Sequence, residues 1–338
     1  MAGAGSDPER HDLTGEFRLQ PVPPSVVPAL REAQQILDAS LYNIAALLRA
    51  ARRGETLDLD PVLDCARRIG AQVAGRADAL LWLVRAEQRG GYLQRRAVGS
   101  AVVGAVLGRH LGLGAAALEA VAAGMLLLDI GKVAVPVPIL AKPEALDVAE
   151  LAWVRRHVER GLQLVAQSNR VPRRAVEMIS GHHERIDGSG YPAGLEGTRI
   201  PLHARLAAIV DSYDALTLNR RYAAAMSPHG ALRFLDSVRD EKFDGALVGE
   251  LIRALGHWPT GTWVELADGS IGVVCAQQPG QPLCPRIAVI LDRRRKLLAA
   301  PRIIEAEDRN DVVRAVPPQI DPVHLRACES ALVAVFPQ

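Results

Sequence analysis

Two adjacent histidines, His182 and His183, close an apolar segment with helical patterning, Val176-Glu177-Met178-Ile179. Neutral imidazoles are the commonest metal ligands in proteins. A pair of them at a helix end is therefore first of all a candidate metal platform. A turn cluster comes next, Asp187-Gly188-Ser189-Gly190, and then Tyr191-Pro192. Glycine takes positive φ at no steric cost, and proline fixes its own φ. A structured loop is expected to leave the histidine pair and return to the core.

This stretch, His182 to Pro192, resembles the signature of the HD-GYP family, metal-dependent phosphodiesterases of bacterial cyclic di-GMP signalling. The resemblance extends upstream through Leu128-Asp129-Ile130-Gly131-Lys132 and Pro138-Ile139-Leu140-Ala141-Lys142-Pro143. Downstream it continues through Ile200-Pro201-Leu202-His203-Ala204-Arg205 and Asp211-Ser212-Tyr213-Asp214-Ala215-Leu216-Thr217. It covers residues 92–256 in family order. The implied fold is mainly α: an HD-GYP-like helical bundle, here with an N-terminal helical prefix and a small C-terminal antiparallel β appendage.

The resemblance also implies a ligand set. Asp129 matches the aspartate of the His-Asp pair, and Lys132 the lysine that faces substrate phosphate or nucleophile. His157, His182 and His183 match metal-binding histidines, and Asp211 the final aspartate. Arg220 matches a residue that contacts phosphate. Tyr191 is the signature tyrosine, read either as a ligand or partner contact or as a loop anchor. Asp187 and Asp214 are read as cap or turn residues.

Two positions depart from the pattern. Arg96 stands where the first histidine belongs, and Leu128 where the histidine of the His-Asp pair belongs. Neither side chain ligates a metal. Tyr92 replaces the glutamate of members with three metals, and Ala223 replaces a basic residue. Both missing histidines serve one metal position, shared with Asp129 and Asp211. The other keeps Asp129, His157, His182 and His183, enough for one divalent ion, iron or manganese by donor type. The Arg96 guanidinium is expected beside Asp129 or Asp211, replacing the charge of the missing ion. The implied function is a degenerate module that binds cyclic di-GMP or a related nucleotide, or protein partners through its Gly-Tyr-Pro loop, with weak or no hydrolysis. The alternatives are an active phosphodiesterase with an altered metal shell and a metal-free scaffold.

The rest of the chain must position these residues. Of 338 residues, 49% are apolar and only 4% aromatic, which favours close-packed helices. A formal charge of +2 gives no electrostatic footprint for DNA. The run Arg293-Arg294-Arg295-Lys296 reads as a solvated loop. Cys65, Cys275, Cys284 and Cys328 form no Cys-x-x-Cys pair and read as free thiols. No apolar run reaches the ~20 residues of a membrane span, and a cytoplasmic protein is expected.

Residues 1–24 read as a polar, proline-rich tail and 25–90 as the helical prefix, a packing layer or a homodimer or signal-input surface. Ser25 is a possible N-cap for a helix from Val26 to Ala51. Asp60-Pro61 reads as N-cap and first residue of the next helix. Residues 91–257 form the HD-GYP-like unit, with Ala97–Ala105 as a small-residue helix and a single helix from Leu146 to Ser168. From residue 258 the pattern alternates, and Asp268-Gly269 signals a hairpin. A terminal helix is expected after Asp321-Pro322.

Overall fold

In the computed structural model, the described residues are 27–317, except 88, 143, 219–224, 279 and 309. The tail, Ser25, Arg220, Ala223, Cys328 and the expected terminal helix lie outside them. The prefix comprises α1 (Val27–Arg52), α2 (Asp60–Gly75) and α3 (Ala77–Ala86). Next come α4 (Tyr92–His110), α5 (Ala115–Leu127) and a 3-10 turn, Ile130–Ala134. Then come α6 (Val137–Ala141), α7 (Val148–Arg155), α8 (His157–Val165) and α9 (Arg173–Gly181). The helices end with α10 (Leu202–Thr217), α11 (Pro228–Ser237) and α12 (Gly245–Leu255).

The prefix shares one core with the later helices. Ile36, Leu37 and Ile44 of α1 and Ile69 of α2 are buried in the same cluster as Val102, Leu107, Met125 and Ile209. The 3.6-residue apolar stripe of α1 thus faces the body of the protein. Asp60 is the first residue of α2 rather than its cap, and Leu59 precedes it. The cap work falls to Asp58, whose carboxylate accepts from Asp60 N at 3.1 Å.

The single helix expected over 146–168 is two helices that meet at Arg156. The break coincides with His157, whose Nδ1 donates to the Val154 carbonyl at 2.7 Å. It places His157 at a helix start instead of mid-helix. Asp147 caps α7 by accepting from Glu150 N at 2.8 Å.

α4 packs against α2, α3, α5, α10 and α12. Its small residues permit this approach. A Cβ on Gly99 would lie 2.6 Å from Asp214 Oδ1. Gly99 and Asp214 are each three residues beyond Arg96 and Asp211. The close contact of α4 with α10 therefore repeats one turn earlier as a meeting of those two side chains.

After α12 the chain forms one antiparallel sheet in the order β4-β3-β2-β1-β5. The strands are β1 (Trp263–Leu266), β2 (Ile271–Gln278), β3 (Gln281–Leu291), β4 (Leu297–Glu305) and β5 (Val312–Ala315). Period-two alternation divides it: Trp263, Val273, Cys275, Ala288 and Ile290 join the main core, while Val264, Val274, Ile287 and Val289 form a second cluster. Asp268-Gly269 makes the β1–β2 turn, with Gly269 at φ +83°. The edge strands β4 and β5 are not foreshadowed by the sequence pattern. Pro301 lies on β4, where an edge tolerates a missing N–H. Cys65, Cys275 and Cys284 are free thiols. Among the described residues, no helix is long and apolar enough to cross a membrane.

The 3-10 turn after Asp129 packs directly on α8. A Cβ on Gly131 would overlap the His157 carbonyl and the Gly161 amide. Backbone cannot give way as a flexible side chain does. Gly131→Ala is expected to cost about 1–3 kcal/mol, measured by denaturant unfolding; unchanged stability would contradict this packing account.

Candidate metal centre

Three chain segments deliver the ligand candidates. Asp129 lies just past the end of α5, His157 opens α8, and His182 and His183 come directly after α9. Their donor atoms all lie within 4.8 Å of one another. His157 Nε2 and His182 Nε2 are 3.3 Å apart, and Asp129 Oδ1 is 3.5 Å and 3.9 Å from them. His183 lies against both other rings, with centroids 4.0 Å from His182 and 5.0 Å from His157.

The outward nitrogens settle the tautomers. His157 Nδ1 faces Val154 O at 2.7 Å, and His182 Nδ1 faces Ile179 O at 3.0 Å. A carbonyl only accepts, so each Nδ1 carries the proton and each Nε2 presents a lone pair. Burial holds all three imidazoles below their usual pKa, His157 at about 4, so they are neutral at pH 7. Two lone pairs then face each other beside Asp129 Oδ1, a buried oxygen that accepts no hydrogen bond. Such an arrangement can hold a cation at its centre, and three imidazoles with a carboxylate suit a divalent transition ion. The residues fit the metal.

The other carboxylate oxygen faces cations. Lys132 Nζ donates to Asp129 Oδ2 at 2.7 Å, and Arg96 Nε lies 3.9 Å from it. Burial disfavours the Asp129 charge, but Lys132 and Arg96 outweigh it and hold its pKa well below the usual carboxylate range.

Arg96 is 6% exposed and forms an ion pair with Asp211 Oδ1. Its Nη1 donates to Tyr92 OH at 3.2 Å. Burial opposes its charge, but Asp211 and Asp129 more than restore it. Asp211 is not part of the four-residue ligand group; its Oδ1 accepts from Arg96 instead. Leu128 is buried at the end of α5 and contributes no donor. Asp214 is neither cap nor turn. It is buried near the end of α10, with Arg85 and Arg96 as the nearest compensating charges. Asp187 does belong to a turn, accepting from Ser189 N at 3.1 Å and pairing with Lys242 at 2.5 Å.

The loop after the histidines is pinned by Glu184. This buried carboxylate accepts from Ala193 N at 2.8 Å and Leu195 N at 2.9 Å. Tyr191 stacks on His183 with ring centroids 4.6 Å apart, and the Arg155 guanidinium carbon lies over the Tyr191 ring, 5.0 Å from its centroid. Neither Glu184 nor Arg155 is singled out by the sequence pattern. Glu184 adjoins the histidine pair, which is a usable signal; Arg155 carries none, because its partner is 36 residues away.

Residues 80–247 match the family model described as an HD domain. The chain belongs to the HD domain family. It is 33% identical over 276 residues to a cyclic di-GMP phosphodiesterase of Pseudomonas aeruginosa, covering 82% of this chain and 66% of that one. It is 38% identical over 152 residues to a cyclic di-GMP phosphodiesterase response regulator of Xanthomonas campestris, covering 45% and 40%. A 3'3'-cGAMP-specific phosphodiesterase of Vibrio cholerae is 41% identical over 133 residues, covering 39% and 25%. The chain spans less than two thirds of the length of these relatives. An HDG"Y"P protein from Bdellovibrio bacteriovorus shares the fold, with a TM-score of 0.53, 18% identity, and coverage of 67% and 72%.

The Arg96–Asp211 contact is a buried pair. Arg96→Ala leaves the buried Asp211 carboxylate without its ion-pair partner and is expected to cost about 3–5 kcal/mol. Adding Asp211→Asn should recover part of that loss. A double-mutant cycle read by chemical denaturation checks it; additive effects of the two changes would contradict direct coupling.

Proposed function

We propose that this chain is a module of cyclic di-GMP signalling that holds one divalent ion and binds a cyclic dinucleotide with weak or no hydrolysis. The substrate class comes from the relatives, which are phosphodiesterases of cyclic di-GMP or cGAMP. The observation that carries the reading is the buried guanidinium of Arg96 between Asp211 and Asp129. These are the two carboxylates that, by the family resemblance, a second ion would share. A guanidinium neutralises them but offers no lone pair and no Lewis acidity.

When bound by Asp129, His157, His182 and His183, an iron or manganese ion supplies Lewis-acid polarisation of a phosphate oxygen. The chain's own groups act around that point. Lys132 is held beside Asp129 and offers positive charge to a phosphate oxygen. Tyr191, with His183 stacked on its ring and Arg155 also over it, is held in one position beside the site. Arg220 is assigned a phosphate contact by its motif position. The missing element is a second centre to prepare the attacking water, so binding outlives turnover.

A second use of the same loop is supported by its surface. Glu184 holds it in one shape while Pro192, Ala193 and Gly194 stay exposed. That combination suits a protein partner docking on the Gly-Tyr-Pro segment.

Anaerobic loading with iron or manganese, followed by elemental analysis and a cyclic di-GMP hydrolysis assay, tests the proposal. One ion per chain and negligible hydrolysis are expected. Arg96→His with Leu128→His should move the metal content towards two and raise hydrolysis. Wild-type turnover of ~1 s⁻¹ or more, typical of enzymes, would overturn it.

A further inference from the structure

A cleft of about 680 Å³ lies where the helices meet the sheet, far along the chain from the metal-binding segments. It is lined by the start of α3, the ends of α4 and α12, and the β2–β3 hairpin. Its volume is in the ~300–1,000 Å³ range of small-molecule sites. The lining chemistry is uneven. Asp78, in the first turn of α3, is mostly buried, and among the described residues its one hydrogen bond is a long one from Gln277 N, 3.5 Å. Burial lifts its pKa to about 6, which leaves it mainly ionised at pH 7. Gln277 Nε2 donates to Trp258 O at 2.9 Å, which fixes the amide and leaves Oε1 buried without a donor.

Three guanidiniums line the same cleft. Arg109 is anchored through Nη1 to Val73 O at 3.0 Å. Arg253 is paired with Glu250 at 2.5 Å, and Glu250 also holds His110 at 2.8 Å. Arg76 has no ion pair among the described residues. Two under-satisfied acceptors thus share a cavity with Arg109, whose charge already acts on Asp78, and with Arg76, which pairs with no carboxylate among the described residues. A matching ligand presents adjacent N–H donors to Asp78 and an anion to Arg76.

We propose that this cleft binds a guanine mononucleotide, with Asp78 reading the base and Arg76 holding the phosphate. Guanine offers N1–H and the N2 amino group side by side, which matches the two oxygens of a carboxylate. Adenine sets one amino donor beside a ring-nitrogen lone pair, which would face a carboxylate oxygen. Arginine is the side chain best suited to bidentate phosphate contacts. A free amino acid satisfies the charges but leaves most of the volume empty.

Calorimetric titration of the full chain with GMP, in EDTA so that no ion sits at Asp129, tests this separately from the metal site. Saturable one-to-one binding is expected, at least tenfold tighter than for AMP. Asp78→Asn should weaken GMP at least tenfold. Arg76→Ala, at an exposed position, should weaken GMP several-fold and leave guanosine unchanged. Absence of saturable GMP binding, equal affinity for GMP and AMP, or an unaffected Asp78→Asn variant would overturn the proposal. If Asp78→Asn does not fold, the AMP comparison and Arg76→Ala decide.

Discussion

Asp129 has two carboxylate oxygens, and they serve opposite chemistries. Oδ1 faces the lone pairs of His157 and His182. Oδ2 faces the cations Lys132 and Arg96. A buried carboxylate tolerates this only if both sides are satisfied, because desolvation penalises its charge. Much of the local fold meets that requirement. The end of α5 positions Asp129, the absent side chain of Gly131 lets the adjoining turn lie on α8, and the break at Arg156 turns His157 inward.

The helix ends around Asp129 and the mid-helix pair Arg96–Asp211 are two devices with different demands. Ligand nitrogens come from helix ends, where the chain bends enough to bring three segments to one point. The ion pair comes from two long helices, α4 and α10, brought close by small residues. Arginine suits this second place because it stays charged when buried and its planar fork reaches more than one acceptor. Tyr92, one turn before it, receives a further N–H. The site is therefore asymmetric: one half gathers ligand-type donors, and the other contains a permanent cation, Arg96.

Much of this is legible in the sequence. His157, His182, His183 and Asp129 are named by the family resemblance, and they converge because motif order reflects a fixed helical arrangement. Arg96 beside Asp211 follows from charge alone, since buried carboxylates need a counter-ion. The limits have physical causes. Apolar periodicity runs unbroken from 146 to 168, so the bend at Arg156, set by the His157 ring and one carbonyl, is invisible to it. β4 and β5 escape notice because β4 opens on an unalternating run, Leu297-Leu298-Ala299-Ala300 before Pro301, and β5 is only four residues long. Asp214 looks like a helix-end residue until Gly99 draws α4 against it. Motif position marks Asp211 as a ligand, yet the same substitution that removes a histidine also takes this carboxylate as its partner.

The central claim is that Arg96 stands in for an ion. Anomalous diffraction from crystals grown anaerobically with saturating manganese or iron tests it most directly. The account predicts a single anomalous peak, bounded by His157 Nε2, His182 Nε2 and Asp129 Oδ1, with the Arg96 guanidinium still on Asp211. Two peaks bridged by Asp129, with Arg96 swung out of the site, would contradict it.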